Sequence, residues 1–178
     1  MKMNNKLYIM VGAPGSGKTT WCKNHIQENE EYISRDEIRF RLLTPNDGYF
    51  AKEKKVYDTF IQKVNQAINN GHNVYADQTS LDKRARTRLI RNLENRDLEI
   101  HAVWLKTPLD ICIERNKKRS GLANVPDQSI REMYHRLERP SWEEGIKYLH
   151  IITNDTDEEI IDLEKEALEK WTLWEIIY

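Results

Sequence analysis

The chain has 178 residues, 39% of them hydrophobic and 32% charged, with a mean hydropathy of −0.79. That is enough for one sizeable core, and no apolar stretch of about 18 residues is present to form a transmembrane helix. Net charge is −1, yet residues 82–139 hold 14 Lys and Arg against 9 Asp and Glu, whereas residues 140–178 hold 3 against 11, a segregation that suits one face to an anionic ligand.

Residues 1–6 lack the apolar region and cleavage site of a secretory signal. Cys22 and Cys112 stand far apart and make neither a disulfide framework nor a zinc site, which fits a reducing cytoplasm.

Residues 7–11 form a short apolar run that predicts a buried strand, and residues 18 to about 29 predict a helix. Between them lies Gly12-Ala13-Pro14-Gly15-Ser16-Gly17-Lys18-Thr19, a full match to G-x-x-x-x-G-K-[ST] in the strand–loop–helix setting that the motif requires. Its glycines let successive N–H groups turn inward onto phosphate oxygens, and the helix N-terminus adds its dipole. Residues 12–20, from Gly12 to Thr20, are therefore the candidate nucleotide-binding loop. Lys18 is placed to reach the β- and γ-phosphates and Thr19 to ligate Mg²⁺. Asn116-Lys117-Lys118-Arg119 lacks the aspartate of a GTPase base reader, and the third strand ends Ala76-Asp77-Gln78 without the paired acids of a motor ATPase. A small phosphotransferase remains.

Residues 32–34 predict a second strand, followed by a helix from Asp36 to about Leu43. Ligands of a parallel sheet bind beyond the carboxyl ends of its strands. Asp36 is thus placed to accept the proton of an attacking hydroxyl, with Arg35 and Arg39 beside it to hold an anionic acceptor. The other reading of Asp36 is a helix N-cap. Residues 44–48 are a turn cluster. The spacing of Val56, Phe60, Val64, Ala67 and Ile68 predicts a helix over residues 49–70 closed by Asn70-Gly71.

Residues 73–77 predict a third strand and residues 82 to about 95 a helix. Asp77 is placed behind the metal and Thr79 beside the acceptor, with turn and capping chemistry the alternative for Thr79, Ser80 and Asp82. Residues 100–105 predict a fourth strand, and Pro108 opens a helix to about Arg119. Arg115 and Arg119, four apart, share a helix face. Cations there, on a lid over about 115–126, suit transition-state charge; a solvated basic helix end is the alternative. Asp127 is expected to cap the next helix, residues 148–153 predict a fifth strand, and a final helix is expected over about 156–178, with Trp171 and Trp174 packing it onto the body. The sum is a single α/β domain over 1–178, a P-loop kinase-like three-layer α/β/α fold with a mainly parallel five-stranded sheet and a helical lid.

Taken in order, Gly12 to Trp21, Ser34-Arg35-Asp36-Glu37-Ile38-Arg39, Asp77-Gln78-Thr79-Ser80-Leu81, Glu114 to Arg119, and Val125-Pro126 with Ile130 to Tyr134 resemble the 5′-polynucleotide kinase domain of bacteriophage end-healing enzymes and related P-loop kinases. The resemblance spans roughly residues 6–153. It implies an ATP donor, Mg²⁺, and a nucleic acid partner phosphorylated at the 5′-OH of DNA or RNA in repair or modification, in the cytoplasm of a bacterial or phage-infected cell, with no membrane role. By position it implies Lys18 on the phosphates, Thr19 near the metal, Asp36 as general base, and Arg39 at the acceptor phosphate. Thr79 falls in the acceptor channel, Arg119 on the transferring phosphate, and Arg115 is a second cation nearby. The 3′-phosphatase motif of the bifunctional phage enzyme does not occur in this chain, so 3′ end healing is not implied. Kinases of a hydroxymethylated base in DNA or of a small hydroxylated metabolite share this core. A nucleotide-binding switch is a further reading, which Asp36 and the lid cations argue against.

Overall fold

The computed structural model describes residues 5–44 and 46–177, with side chains as far as Lys170. The strands are β1 (Asn5–Val11), β2 (Glu30–Ser34), β3 (Asn73–Asp77), β4 (Leu98–Leu105), β5 (Tyr148–Thr153) and β6 (Asp157–Asp162). The helices are α1 (Lys18–His25), α2 (Arg35–Leu42), α3 (Glu53–Asn69), α4 (Lys83–Arg91), α5 (Leu109–Lys117), α6 (Asp127–His135) and α7 (Leu163–Ile177). One six-stranded sheet runs in the order β2-β3-β1-β4-β5-β6. Its first five strands are parallel and β6 is antiparallel to β5.

Strand alternation builds the layers. Leu7, Ile9 and Val11 of β1 face a core completed by Val56, Phe60 and Val64 of α3, Leu89 of α4 and Leu163 of α7. Met10 faces the other way, onto Trp21 and Cys22 of α1. Helices thus cover both faces, and the strand order puts the loop after β1 at the centre of the sheet's carboxyl edge. Among the described residues no helix is long and apolar enough to cross a membrane.

The sixth strand corrects the expected five. The acidic run after Asp155 reads as a helix start, but Asn154 and Asp155 both take the left-handed conformation (φ 50° and 64°). Two such residues in succession, which Asn and Asp tolerate, open a turn over residues 154–156 that closes a hairpin, with Thr156 N donating to Thr153 O at 3.2 Å. β6 pairs from Thr153 opposite Asp157 to Tyr148 opposite Asp162, and the final helix begins only at Leu163. Its exposed acidic side chains suit the sheet edge. The packing expected of Trp171 and Trp174 lies outside the described side chains.

Caps differ too. Ser34, not Asp36, caps α2 by accepting from Glu37 N at 3.2 Å. Asp127 is the first residue of α6 after Pro126 and makes no cap; it faces Lys117 at 3.5 Å. Asp82 does cap α4, through Ala85 N at 2.8 Å.

A buried polar chain ties β4 to the hairpin. His101 and His150 bond ring to ring at 2.8 Å, between Glu99 at 2.9 Å and Glu158 at 2.7 Å. Burial pushes the His101 imidazole down to about 4, against the opposing pull of Glu99. The unfolded chain therefore takes up this proton near pH 6.5 and the folded chain only near 4. Folding stability is present above that window and is lost as pH falls through it, by up to about 3 kcal/mol. Thermal melts at about pH 7, 5.5 and 4, which span that window, are expected to show a steeper loss in the wild type than in His101→Gln. Equal slopes would reject the account.

Candidate active site

The loop after β1 is held open by glycine. Gly15 has φ +84°, and a Cβ there would lie 2.2 Å from the backbone carbonyl oxygen of Cys112 in α5. Gly17 has φ +98°, but a Cβ would meet only Arg115 Nη1 and Asp155 Oδ1, each at 3.7 Å. Gly15→Ala therefore combines left-handed strain with a backbone collision and is expected to cost about 2–5 kcal/mol, whereas Gly17→Ala carries the strain alone, about 1–2 kcal/mol. Denaturant unfolding of the two variants checks the order.

Lys18 is buried and donates to the carbonyls of Gly12 (2.8 Å) and Ala13 (2.9 Å). Burial lowers its pKa, while the carboxylates of Asp77 and Asp36 pull it up and the guanidinium of Arg119 adds to the lowering. Three groups, from β3, from α2 and from the segment just after α5, thus act electrostatically on one ammonium. Arg119 lies beyond the helix, which ends at Lys117, and not on a shared helix face with Arg115. Ser16 Oγ is buried without a partner, and its carbonyl accepts from Thr107 at 2.8 Å. An orphaned hydroxyl in a cradle that a side chain would fill suits a phosphate oxygen.

Thr19 Oγ1 and Tyr32 Oη both donate to Asp77 Oδ2, each at 2.7 Å. Burial, then the charge of Asp77, raises the Tyr32 pKa and keeps the phenol a donor. With its O–H donating to Asp77, the Thr19 hydroxyl keeps its lone pairs available to a cation. One hydroxyl backed by a carboxylate fits Mg²⁺, which takes few protein ligands and fills its shell with phosphate oxygens and water.

On the other side, Asp36 stands in the first turn of α2 with its side chain 59% exposed. It accepts from Tyr49 Oη at 3.1 Å and from Arg39. Arg39 is only 5% exposed. It also donates to Glu53 at 2.8 Å and Tyr49 Oη at 3.0 Å, and its guanidinium lies 4.5 Å from the Tyr49 ring centre. Arg35 donates to Gln78 Oε1 at 3.0 Å and to Glu53. Burial would raise the Glu53 carboxyl, but hydrogen bonding and charge from Arg39 and Arg35 hold it below its ordinary value. Both arginines expected at the acceptor are thus already braced by Glu53. Thr79 is exposed beside buried Gln78 and Ser80.

The lid cations divide. Arg115 is ion-paired with Asp155 in the β5–β6 turn, which raises the arginine pKa and lowers that of the aspartate. That pair sits against Gly17. Arg119 is exposed and, among the described residues, pairs with no carboxylate. The lid base is anchored by Asn116, which bonds Val125 N at 3.0 Å, Val125 O at 2.7 Å and Asn124 at 3.0 Å. Tyr32, Tyr49, Glu53 and Asp155 are absent from the sequence-derived site.

A mainly parallel sheet with a phosphate-loop between β1 and α1 is the fold of P-loop kinases. A family model described as an AAA domain matches residues 7–140, and the chain belongs to that family. It is similar to the L-seryl-tRNA(Sec) kinase of Methanococcus maripaludis, 28% identical over 163 residues covering 86% of this chain and 60% of that protein. It is also similar to an Autographa californica nuclear polyhedrosis virus protein described as a bifunctional polynucleotide kinase/RNA ligase, 23% identical over 147 residues, 75% of this chain and 21% of that one. Among solved structures, a chain of the Pnkp1/Rnl/Hen1 RNA repair complex shares the fold with a TM-score of 0.65 and 22% identity, covering 92% of this chain and 50% of that one. The chain spans between 17% and 60% of the length of four curated relatives that it matches. The chain is thus a P-loop domain of that family, similar to the domains of polynucleotide kinases.

Proposed function

We propose that this protein transfers the γ-phosphate of ATP to a hydroxyl of a nucleic acid, the 5′-OH end of DNA or RNA. The observation that carries the reading is Asp36. It is not needed as a helix cap, it is exposed, and its charge reaches the Lys18 ammonium inside the phosphate loop. An exposed carboxylate that is oriented by Arg39 and Tyr49 and whose charge acts on the phosphate-loop lysine suits acceptance of the proton of the attacking hydroxyl.

Residues 12–20 hold the donor phosphates through backbone N–H groups and Lys18. Thr19, steadied by Asp77, would hold Mg²⁺, which when bound would offset negative charge on the donor phosphates. Arg119 stabilises charge on the transferring group, and Arg115 joins it by exchanging Asp155 for phosphate. Arg35 and Arg39, braced by Glu53, line the acceptor side with Thr79. The net +5 of residues 82–139 favours an anionic polymer as acceptor. The similarity to L-seryl-tRNA(Sec) kinase supports a second reading, in which the acceptor is an alcohol carried on RNA away from its 5′ end.

Transfer of label from γ-labelled ATP tests both, using 5′-OH and 5′-phosphate DNA and RNA, hydroxymethylpyrimidine DNA, and seryl-tRNA. Label confined to 5′-OH ends supports the first reading. Label on 5′-phosphorylated acceptors replaces it, and no label on any strand rejects a nucleic acid acceptor.

A further inference from the structure

The connection from α2 to α3, described at residues 43–44 and 46–52, places an aromatic pair beside Asp36. Tyr49 reaches inward, with its hydroxyl on Asp36 and its ring under Arg39. Phe50 turns outward, its ring centre 4.9 Å from that of Tyr49 and its plane at 84° to it. It is 71% exposed. The segment is a built loop. Asp47 Oδ2 accepts from Thr44 N at 2.7 Å, Thr44 Oγ1 at 2.8 Å and Lys52 Nζ at 2.7 Å, and Lys52 Nζ donates again to Leu42 O at 2.9 Å. Ala51 N closes onto Gly48 O at 2.9 Å.

A bare phenyl ring held in water by a fixed loop forgoes the burial its apolar area favours. It lies one ring contact from the carboxylate that receives the acceptor hydroxyl. A polyol or a seryl side chain brings no flat apolar face to that position. A nucleotide does, because its base lies a few bonds from its 5′ oxygen, and every base has a π-face on which an aromatic side chain stacks. We propose that Phe50, propped edge-to-face by Tyr49, is a stacking platform for an unpaired base at the 5′ end of the acceptor strand. This deepens the polynucleotide kinase reading and rests on it. It makes the preferred acceptor single-stranded at its end, and it makes Phe50 a source of specificity against small alcohols.

The test is steady-state phosphorylation of two 5′-OH single strands by the wild type, Phe50→Ala and Phe50→Trp. One strand carries ordinary bases and the other carries abasic residues at its first two 5′ positions. Phe50→Ala is expected to raise KM for the ordinary strand by roughly 5- to 100-fold, the worth of one base–aromatic stack, with the loss in KM rather than kcat. Phe50→Trp is expected to restore it. The abasic strand is expected to show a raised KM in the wild type and no further loss in Phe50→Ala. ATP binding by calorimetry confirms that the variants are folded. An unchanged KM in Phe50→Ala, or an equal loss on both strands, overturns the platform while leaving the kinase reading standing. A wild type that phosphorylates neither strand overturns the kinase reading and the platform with it.

Discussion

Asp36→Asn is expected to lower kcat by roughly 10²- to 10⁴-fold, the usual worth of a positioned general base, with ATP affinity unchanged. Asparagine keeps an oxygen for Tyr49 Oη and Arg39, so the acceptor side retains its shape and loses only its basicity. Since Ser34 caps α2, the substitution also spares the helix. Losing a cap would cost about 0.5–2 kcal/mol, whereas losing one exposed charge near a helix N-terminus costs about 0.3–1 kcal/mol. The expected signature is therefore a nearly unchanged melting temperature beside a large catalytic loss. Lys18→Met differs in kind, because Lys18 supports the loop as well as the phosphates, so ATP binding falls with turnover. Single-turnover transfer alongside ATP calorimetry separates the two variants. An Asp36→Asn enzyme that turns over like the wild type would remove Asp36 from the chemistry.

What the sequence reveals about this site follows from how locally each feature is encoded. The phosphate loop is legible because its eight positions are contiguous and its flanks are an apolar strand and a helix. Four of the five parallel strands are legible because both sheet faces are covered, so each carries a short apolar run; β2, at the other edge, offers only Tyr32-Ile33. β6 gives no such run, since it lies at the edge with acidic side chains outward. Only Asn154-Asp155 hints at the hairpin, and Asp155 owes its place on Arg115 to that turn. The cap of α2 was readable in principle, because Ser34-Arg35-Asp36-Glu37 has the S-x-x-E spacing of a capping box. Glu53 was not readable. It braces two arginines 14 and 18 residues earlier in the chain, and nothing local distinguishes it from other acids at a helix start.

Arg86 is the other element hidden from the sequence, and its loss carries the largest expected stability effect. Its side chain is fully buried. Nε and Nη2 grip both oxygens of Glu144, at 2.7 and 2.9 Å, and that side chain is as fully buried as its partner. Nη1 donates to the carbonyls of Ser80 at 3.1 Å, Leu81 at 3.2 Å and Glu138 at 3.0 Å. One guanidinium therefore joins α4, the loop after β3 and the segment between α6 and β5. Arg86→Met leaves a carboxylate buried without its cation and is expected to cost about 3–5 kcal/mol. Domains of this size lose roughly 2–4 °C per kcal/mol, so the melting temperature should fall by about 10 °C. Removing both charges, as Arg86→Met with Glu144→Leu, is expected to recover most of the loss, because the cost lies in the uncompensated charge. The carbonyl of Ser80 adjoins Thr79, so the double variant also separates packing from position. If the fold is restored while KM for the acceptor remains raised, Arg86 aims the Thr79 segment as well as holding it. A single variant that melts within about 1 kcal/mol of the wild type would show that the buried pair is not the staple its geometry implies.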